Sequence, residues 1–265
     1  MHRAAAVGFE RAAGAYERGR ADYPVAAVET ILAATDAAPG RTLLELGAGT
    51  GKLTRELVGS GARVIALEPV AGMREMLART APDAEPLDAV AEAVPLADAS
   101  VNAVVAAQAF HWFDPEAAAA EVARVLEPGG AVALIWNRRD ERVAWVRELS
   151  RILDRLAGDA PRYRTGLWRR GFDGNPAFEP LALETWPHRG VEGREVVLDR
   201  VASMSFVAAL GEQARSQLLA EVSDLLETHP DLRGREDVAL PYVTELFTTR
   251  RAELPDGSPA RPPER

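Results

Sequence analysis

Apolar and polar positions along the first half of the chain alternate as a series of short strands and helices. Short apolar runs predict strands at Thr42–Leu46, Arg63–Leu67, Val101–Ala107 and residues 131–136. Helical spacing predicts helices at residues 3–18, 25–36, 53–58, 71–79 and 116–126. The run Val101–Ala107 is apolar almost throughout, as expected of a strand buried on both faces of a parallel sheet. This alternation predicts an α/β fold with a doubly wound sheet.

The helix at residues 116–126 carries signals at both ends. Asp114 is its predicted N-cap, and Pro115 suits the first helical position because proline lacks an N–H group there. Residues 128–130, Pro-Gly-Gly, are predicted to close this helix before the next strand begins.

After Asn137 the pattern becomes mainly helical. The predicted elements are helices at residues 142–157 and 194–228, a loop at 158–180, and strands at 181–189 and 239–248. A break in the second helix is expected near Gly211. Pro241 suits an edge strand, because proline cannot donate a hydrogen bond to a neighbouring strand. The proline-rich tail after Leu254 is expected to be disordered.

Three glycines separate the first predicted strand from the following helix, in the segment ELGAGTGKL at residues 45–53. Such a turn lets backbone approach a ligand and presents N–H groups at a helix start. A phosphate-binding P-loop is excluded, since Gly47 and Gly51 enclose too few residues and Leu53 follows Lys52. The spacing departs from a dinucleotide fingerprint without excluding one. It matches a nucleoside-sulfonium site, and a turn without ligand is the remaining alternative.

An acidic residue, Glu68, ends the second predicted strand about twenty residues after the glycine turn. A carboxylate at this place can accept hydrogen bonds from both hydroxyls of a ribose. A capping or surface acid is the alternative interpretation of Glu68.

Longer motifs then identify a family. They are YERGRADYP at residues 16–24, ELGAGTGKL at 45–53, EPVAGM at 68–73, AEAVPL at 91–96, QAFHWFD at 108–114, RVLEPGG at 124–130, WN at 136–137 and LPYVT at 240–244. With them the chain resembles the class I S-adenosylmethionine (SAM)-dependent methyltransferases, in the branch similar to trans-aconitate methyltransferase. It departs from that branch at Ala21, where proline is usual, at Asn102, which replaces aspartate, and at Met204, where arginine is familiar. The departure at Met204 leaves the acceptor open.

The resemblance implies a doubly wound, Rossmann-like fold. The expected sheet is mainly parallel and seven-stranded, with helices on both faces, an antiparallel last strand and a largely helical lid. The expected parts are an N-terminal helical cofactor latch at residues 1–30, a SAM-binding core at 31–140, a helical substrate lid with one core strand at 141–238, the last core strand at 239–250 and a disordered tail at 251–265.

The resemblance also implies the site residues. The cofactor-binding residues for SAM, and for its product S-adenosylhomocysteine, are Tyr16, Arg20, Glu45, Gly47, Ala48, Gly49, Thr50, Gly51, Leu53, Glu68, Pro69, Met73, Val90, Ala91, Glu92, Gln108 and Ala109. The substrate-binding residues are His111, Trp112, Trp136, Asn137 and Trp168. His111 is the candidate catalytic base, and a structural histidine within an aromatic cluster is its alternative. A hydroxyl acceptor needs such a base, whereas a carboxylate is already ionised near neutral pH.

The composition argues against several classes of binding partner. The balance of 31 basic and 40 acidic residues gives a net charge of −9, which argues against nucleic acid and anionic membranes as partners. The absence of cysteine excludes disulfides and thiolate chemistry, and four scattered histidines favour no metal site. No apolar run approaches the ~18 residues of a membrane helix. The start also lacks the layout of an export signal, so a cytoplasmic location is expected. Lys52, the single lysine, is expected to point to solvent.

The predicted function is methyl transfer from SAM to a small-molecule acceptor, with oxygen of a hydroxyl or carboxylate favoured. The alternatives are an N-methyltransferase of a small molecule or peptide, a NAD-dependent oxidoreductase, and a SAM-binding protein without turnover. The oligomeric state, monomer or homodimer, is left open.

Overall fold

The computed structural model describes residues 21–156, 162–235 and 237–253. The predicted helix at residues 3–18, the predicted cofactor residues Tyr16 and Arg20, and residues 254–265 of the predicted tail lie outside the described residues. The strands are β1 (Thr42–Leu46), β2 (Arg63–Leu67), β3 (Glu85–Leu87), β4 (Val101–Ala107), β5 (Leu126–Arg139), β6 (Ala182–Glu192) and β7 (Ala239–Arg250). The α-helices are α1 (Val25–Ala34), α2 (Thr54–Val58), α3 (Ala71–Thr80), α4 (Pro115–Val125), α5 (Ala144–Asp154), α6 (Arg194–Ala202), α7 (Ser205–Ala208) and α8 (Glu212–Thr228). Short 3₁₀ turns lie at Phe110–Trp112, Tyr163–Thr165 and Leu167–Gly171.

These strands form one sheet in the order β3-β2-β1-β4-β5-β7-β6. The pairs β1–β2, β1–β4, β2–β3 and β4–β5 are parallel. Strand β7 runs antiparallel to both of its neighbours, β5 and β6. The chain therefore winds outward from β1 in one direction and then in the other, which confirms the predicted doubly wound, Rossmann-like fold.

Two apolar clusters cover the two faces of the sheet. On one face, Ala27 and Ile31 of α1 pack in the same cluster as Leu43 of β1. On the other face, Val122 of α4 belongs to the cluster that contains Leu44 of β1. Because both faces of the central strands are buried, these strands are almost continuously apolar rather than alternating.

A third apolar cluster joins α5, α6 and α8 to the start of β7, through residues such as Leu149, Val197, Val222 and Tyr242. The long helix predicted in this part is divided into α6, α7 and α8, with the expected break at Gly211 and a further one before α7. This helical layer covers the edge of the sheet where β5 ends, because Tyr242 pairs with the last residue of β5.

Helix α4 begins as predicted and ends earlier than predicted. The Asp114 side chain accepts a hydrogen bond from the Ala117 N–H at 2.9 Å, which confirms the N-cap. Strand β5 begins directly after the helix at Leu126, before the Pro-Gly-Gly segment at residues 128–130. Val101 pairs with Leu126 and Ala103 already pairs with Ala131, so this segment is a bulge within β5 and not a closing loop.

The expectation that Pro241 lies in an edge strand is wrong, because β7 lies between β5 and β6. The pairing with β5 reaches no further than Tyr242, and the pairing with β6 shifts register between His188 and Val191. Pro241 therefore stands beyond one ladder and opposite a bulge in the other. Gly190 makes the bulge possible, since a Cβ there would lie 2.2 Å from the Leu240 carbonyl oxygen.

The parallel strands end at one edge of the sheet, and the loops that follow them meet there. This arrangement brings the segments after β1, β2, β3, β4 and β5 together around the start of β7. Within the described residues, none of the helices has the length and apolar character that crossing a bilayer requires.

Candidate active site

The glycine turn after β1 holds its three glycines in the left-handed region, with φ of +65° at Gly47, +60° at Gly49 and +90° at Gly51. A Cβ at Gly47 would lie 2.7 Å from the Ala109 Cβ, and one at Gly51 would lie 2.7 Å from the Thr80 hydroxyl oxygen. A Cβ at Gly49 would meet nothing within 4 Å. Two glycines are thus required by packing, while Gly49 faces open space in which a ligand can approach the backbone.

Glu68, directly after β2, fixes this turn in place. Its Oε2 accepts a hydrogen bond from the Gly49 N–H at 3.0 Å, and its Oε1 accepts one from the Val70 N–H at 2.9 Å. Burial raises the pKa of Glu68, while the two backbone donors and the charge of Arg74 oppose that rise. Each carboxylate oxygen retains a lone pair, so Glu68 can hold the turn and still accept hydrogen bonds from a ribose.

A second acidic side chain, Glu45, lies at the end of β1 and is 1% exposed. Burial raises its pKa to about 8, even though the Thr54 hydroxyl donates to its Oε2 at 2.6 Å and partly offsets the effect. The negative charge of Glu68 adds to the rise. A cation bound in this region would favour the ionised form of both acids.

An open cleft of about 590 Å³ lies against the glycine turn. The predicted cofactor residues that line it are Glu45, Gly47, Ala48, Gly49, Thr50, Leu53 and Gln108. We call it the cofactor cleft. Its remaining lining residues are Ala21, Tyr23, Lys52, Ala107, Asn137, Arg200 and Tyr242.

The other predicted cofactor residues among those described are not part of this lining. They are Gly51, Glu68, Pro69, Met73, Val90, Ala91, Glu92 and Ala109. Met73 and Ala91 are buried, and Ala109 packs beneath Gly47. Glu92, in the segment after β3, accepts a hydrogen bond from the Asp114 N–H at 3.1 Å. These residues support the loops of the same edge, and their predicted contacts with cofactor stay predictions.

Gln108 follows β4 with a φ of +55°, in the left-handed region that a residue with a side chain rarely adopts. Its N–H donates to the Ile135 carbonyl oxygen at 2.9 Å, which holds this conformation against β5. Backbone strain of this kind is concentrated at functional sites. The conformation belongs to a residue that lines both the cofactor cleft and a second cavity beside it.

Asn137 fixes the segment that precedes α1. Its amide nitrogen donates to the carbonyl oxygens of Ala21 at 3.3 Å and Asp22 at 3.1 Å, while its amide oxygen accepts from the Thr244 hydroxyl at 2.7 Å. Asp22 also pairs with Lys52 at 3.0 Å. The expectation that Lys52 points to solvent is therefore wrong, since its side chain is 17% exposed and lines the cofactor cleft.

The second cavity, of about 1020 Å³, opens beside the cofactor cleft, and we call it the acceptor cavity. The predicted substrate-binding residues His111, Trp112, Trp136 and Asn137 line it. The two cavities share the four residues Gln108, Asn137, Arg200 and Tyr242. A molecule in one cavity can thus meet a molecule in the other.

Trp168, the fifth predicted substrate-binding residue, lies one layer away. It is 3% exposed and packs against Trp136 and Phe247, with ring centroids 4.7 and 4.9 Å apart. Tyr163, which does line the acceptor cavity, lies 4.7 Å from Trp136 on the same aromatic cluster. Trp168 thus supports the wall of the cavity from behind.

His111 stands in the 3₁₀ turn after β4 and faces β5. Its Nδ1 accepts a hydrogen bond from the Trp136 indole N–H at 3.1 Å. An imidazole that accepts at Nδ1 carries its hydrogen on Nε2, so the ring presents a donor at that atom. To take a proton, His111 would have to exchange its bond with Trp136. This geometry favours an orienting role over the base predicted from the sequence.

Several residues of this site were missed in the sequence. They are Arg139, Tyr163, Arg200 and Tyr242. Tyr242 stands inside the LPYVT motif, which was a signal for its proximity to the site. Arg200 is one of three arginines in the helical stretch at residues 194–228, and only the fold brings it to the end of β5.

Proteins of similar sequence or similar fold are methyltransferases. A family model described as a methyltransferase domain matches residues 44–134. An uncharacterized methyltransferase of Mycobacterium tuberculosis strain H37Rv is 44% identical over 241 residues, 89% of this chain and 92% of that protein. The solved structure of a candidate type II methyltransferase from Anaeromyxobacter dehalogenans is 26% identical with a TM-score of 0.59, covering 89% of this chain and 99% of that one. Over 101 residues, 36% of this chain and 37% of the relative, the malonyl-[acyl-carrier protein] O-methyltransferase of Methylococcus capsulatus is 40% identical.

Substitution of Gly49 tests the cleft. We expect Gly49→Val to abolish SAM binding in calorimetric titration, because the side chain would project into the open space beside the turn. The positive φ adds a strain of about 1–3 kcal/mol. Gly40→Val is the matched control, since Gly40 has a φ of +87°, also has open space around its Cβ position and lies outside the cleft lining. A folded Gly49→Val protein with the SAM affinity of Gly40→Val would contradict the assignment.

Glu45 gives a prediction for stability without ligand. In the folded chain the pKa of Glu45 is about 8, whereas in the unfolded chain we expect the ordinary value of 4.5. The folded chain therefore binds the proton of Glu45 more tightly. The free energy of unfolding should therefore fall as pH rises from 4.5 to about 8, by at most about 1.4 kcal/mol per pH unit. In urea unfolding, Glu45→Gln should remove this part of the slope, whereas Glu75→Gln, at an exposed carboxylate, should leave it unchanged. Equal slopes in Glu45→Gln and wild type would show that Glu45 is not buried in this way.

Proposed function

This chain belongs to the class I SAM-dependent methyltransferases, and we propose that it transfers the methyl group of SAM to an oxygen atom of a small-molecule acceptor. The observation that carries the proposal is the junction of the two cavities, which share Gln108, Asn137, Arg200 and Tyr242. Methyl transfer from a sulfonium is an in-line displacement, so donor and acceptor must meet with their reacting atoms aligned. Two adjoining cavities at one sheet edge meet that requirement.

The residues of the cofactor cleft fit SAM by their chemistry. Gly49 leaves backbone accessible, and Glu68 can accept hydrogen bonds from ribose hydroxyls while it holds the turn. Glu45 lies in the same lining, where a cationic ligand would stabilise its carboxylate. When bound, SAM supplies an electrophilic methyl group on a positively charged sulfur.

The residues of the acceptor cavity orient the second molecule. His111 lines this cavity and is held by its hydrogen bond with Trp136, so it can help to align an acceptor oxygen with the methyl group. A carboxylate acceptor needs no base, and a hydroxyl acceptor would need His111 to release Trp136 first. The oxygen preference is supported further by the partial likeness to a malonyl-[acyl-carrier protein] O-methyltransferase.

The SAM-binding part of the proposal is tested by calorimetric titration of the purified chain with SAM, S-adenosylhomocysteine and NAD. We expect saturable binding of the first two and none of NAD, because the glycine spacing departs from the dinucleotide fingerprint. Incubation of metabolite extracts with isotopically labelled SAM, followed by mass spectrometry, then identifies the methylated product. Binding of NAD with exclusion of SAM would favour an oxidoreductase. Methylation at nitrogen would contradict the oxygen preference, and SAM binding without any product would indicate a silent binding protein.

The roles of His111 and Trp136 can be distinguished by measuring the identified reaction with variants of each residue. If His111 orients the acceptor, His111→Ala should lower kcat about tenfold, the effect of one lost hydrogen bond. The kcat of the wild-type chain should then be constant between about pH 5.5 and 8. Trp136→Phe keeps an aromatic ring, though a smaller one, and removes the N–H donor, so it should change kcat less than His111→Ala. A loss of about 10²–10⁴ in kcat for His111→Ala, with an acid limb in the wild-type profile, would instead establish general base catalysis.

A further inference from the structure

The acceptor cavity has a charge opposite to that of the chain. The chain carries a net charge of −9, yet this cavity is lined by more arginines than acids. Its arginines are Arg138, Arg139, Arg162, Arg164 and Arg200, and its acids are Glu141 and Asp154. An excess of cationic groups in a cavity of an acidic protein raises the local concentration of anions.

Three of these arginines are occupied by carboxylates of the chain itself. Arg138 pairs with Glu245 at 3.0 Å, and Arg162 pairs with Asp154 at 2.9 Å. Arg164 shares Asp154. These pairs shape the wall and leave little charge unbalanced there.

The other two, Arg139 and Arg200, have no carboxylate partner among residues 21–156, 162–235 and 237–253. Arg139 donates its Nε–H to the Ser150 hydroxyl at 2.9 Å, a neutral partner. One terminal nitrogen of Arg200, Nη1, is buried without a hydrogen-bond partner. Burial lowers the pKa of Arg139 and the positive charge of Arg200 adds to that fall, while interactions with Tyr242, Asp154 and Glu141 oppose it. Both guanidinium groups line the same cavity.

A third donor faces the same cavity. The Tyr242 side chain is 3% exposed and its hydroxyl has no hydrogen-bond partner in the described part of the chain. A buried polar atom without a partner costs about 1–3 kcal/mol, so a ligand that accepts a hydrogen bond from it would recover part of that cost. Two arginines without an ion pair among the described residues and an unpartnered hydroxyl thus line one cavity, where an anion could accept hydrogen bonds from all three.

We propose that Arg139, Arg200 and Tyr242 bind an oxyanion, a carboxylate or a phosphate monoester, that anchors the acceptor molecule in this cavity. The inference rests on the proposed function, since it names the class of acceptor for the same site. Guanidinium forks match oxyanions with two parallel hydrogen bonds, and a phenol adds a third donor.

The rest of the cavity defines the body of this acceptor. Trp112, Trp136, Met204 and Phe206 present aromatic and thioether surface to the cavity. Such surface favours an apolar group of matching size. The acceptor class is therefore a small amphiphilic acid, with an apolar body and one anionic end.

The test compares ligands that differ in charge alone or in the type of anion. Binding of 3-phenylpropanoate, phenyl phosphate and the neutral 3-phenylpropanamide is measured by calorimetry at saturating S-adenosylhomocysteine. We expect at least one anion to bind about tenfold or more tightly than the amide, the effect of charge-assisted hydrogen bonds. The tighter of the two anions identifies a carboxylate or a phosphate as the anchored group.

Substitutions identify the residues that bind the anion. Arg139→Met, Arg200→Met and Tyr242→Phe should each weaken anion binding about tenfold, with unchanged affinity for the amide. Arg139→Met should also leave the affinity for SAM unchanged, because Arg139 lines the acceptor cavity and is not part of the cofactor-cleft lining. Arg164→Met is the matched control, because it removes the same charge from the same cavity at an arginine already paired with acids. It should weaken anion binding less than threefold, an effect of general charge alone.

Two results would overturn the inference. The first is equal affinity for the anions and the amide, or no anion binding up to about 10 mM, in a protein that binds SAM normally. The second is a loss of SAM affinity in Arg200→Met with anion binding intact, which would assign this guanidinium to the cofactor. Loss of SAM binding in the wild-type chain would instead contradict the proposed function itself, so the two failures are distinguishable.

Discussion

The turn after β1 has to leave its backbone open to a ligand and at the same time remain fixed to the sheet. Its three glycines adopt a left-handed conformation. Because glycine has no side chain, these three residues cannot themselves attach the turn to the sheet through side-chain contacts. Glu68 supplies that attachment from the next strand, through the hydrogen bond from the Gly49 N–H. The buried carboxylate of Glu68 and the open space at Gly49 together meet this requirement.

Charge divides the site into two halves. Beside the glycine turn, Glu45 and Glu68 are buried acids whose pKa values are raised by burial, and a bound cation would favour their ionised form. In the acceptor cavity, Arg139 and Arg200 lack acidic partners among the described residues and favour an anion. A cationic donor and an anionic acceptor would each be attracted to its own half, and the shared wall brings them together.

That shared wall is held by hydrogen bonds from several elements. Gln108 is kept in a strained conformation by its N–H bond to β5, and Asn137 uses its whole amide to fix residues 21 and 22 and Thr244. Tyr242 reaches the wall because β7 runs antiparallel to β5 and starts where β5 ends. Interior strand β7 tolerates Pro241 at this place, since one ladder has ended and the other is bulged.

The sequence by itself determined the doubly wound architecture and located the glycine turn and Glu68 at the ends of its first two strands. The apolar runs located β1, β2 and β4 with their exact bounds, because a strand buried on both faces has few alternatives. The glycine spacing and Glu68 were readable because they belong to local turns whose conformation the residue types dictate. Tertiary structure alone decided the acceptor half. Whether an arginine forms an ion pair depends on residues far along the chain, as the pair of Arg138 with Glu245 shows. The local sequence therefore does not distinguish the paired Arg138 from Arg200, which has a buried nitrogen without a hydrogen-bond partner. The role of His111 likewise depends on the Trp136 N–H, which only the pairing of β4 with β5 brings within hydrogen-bond distance.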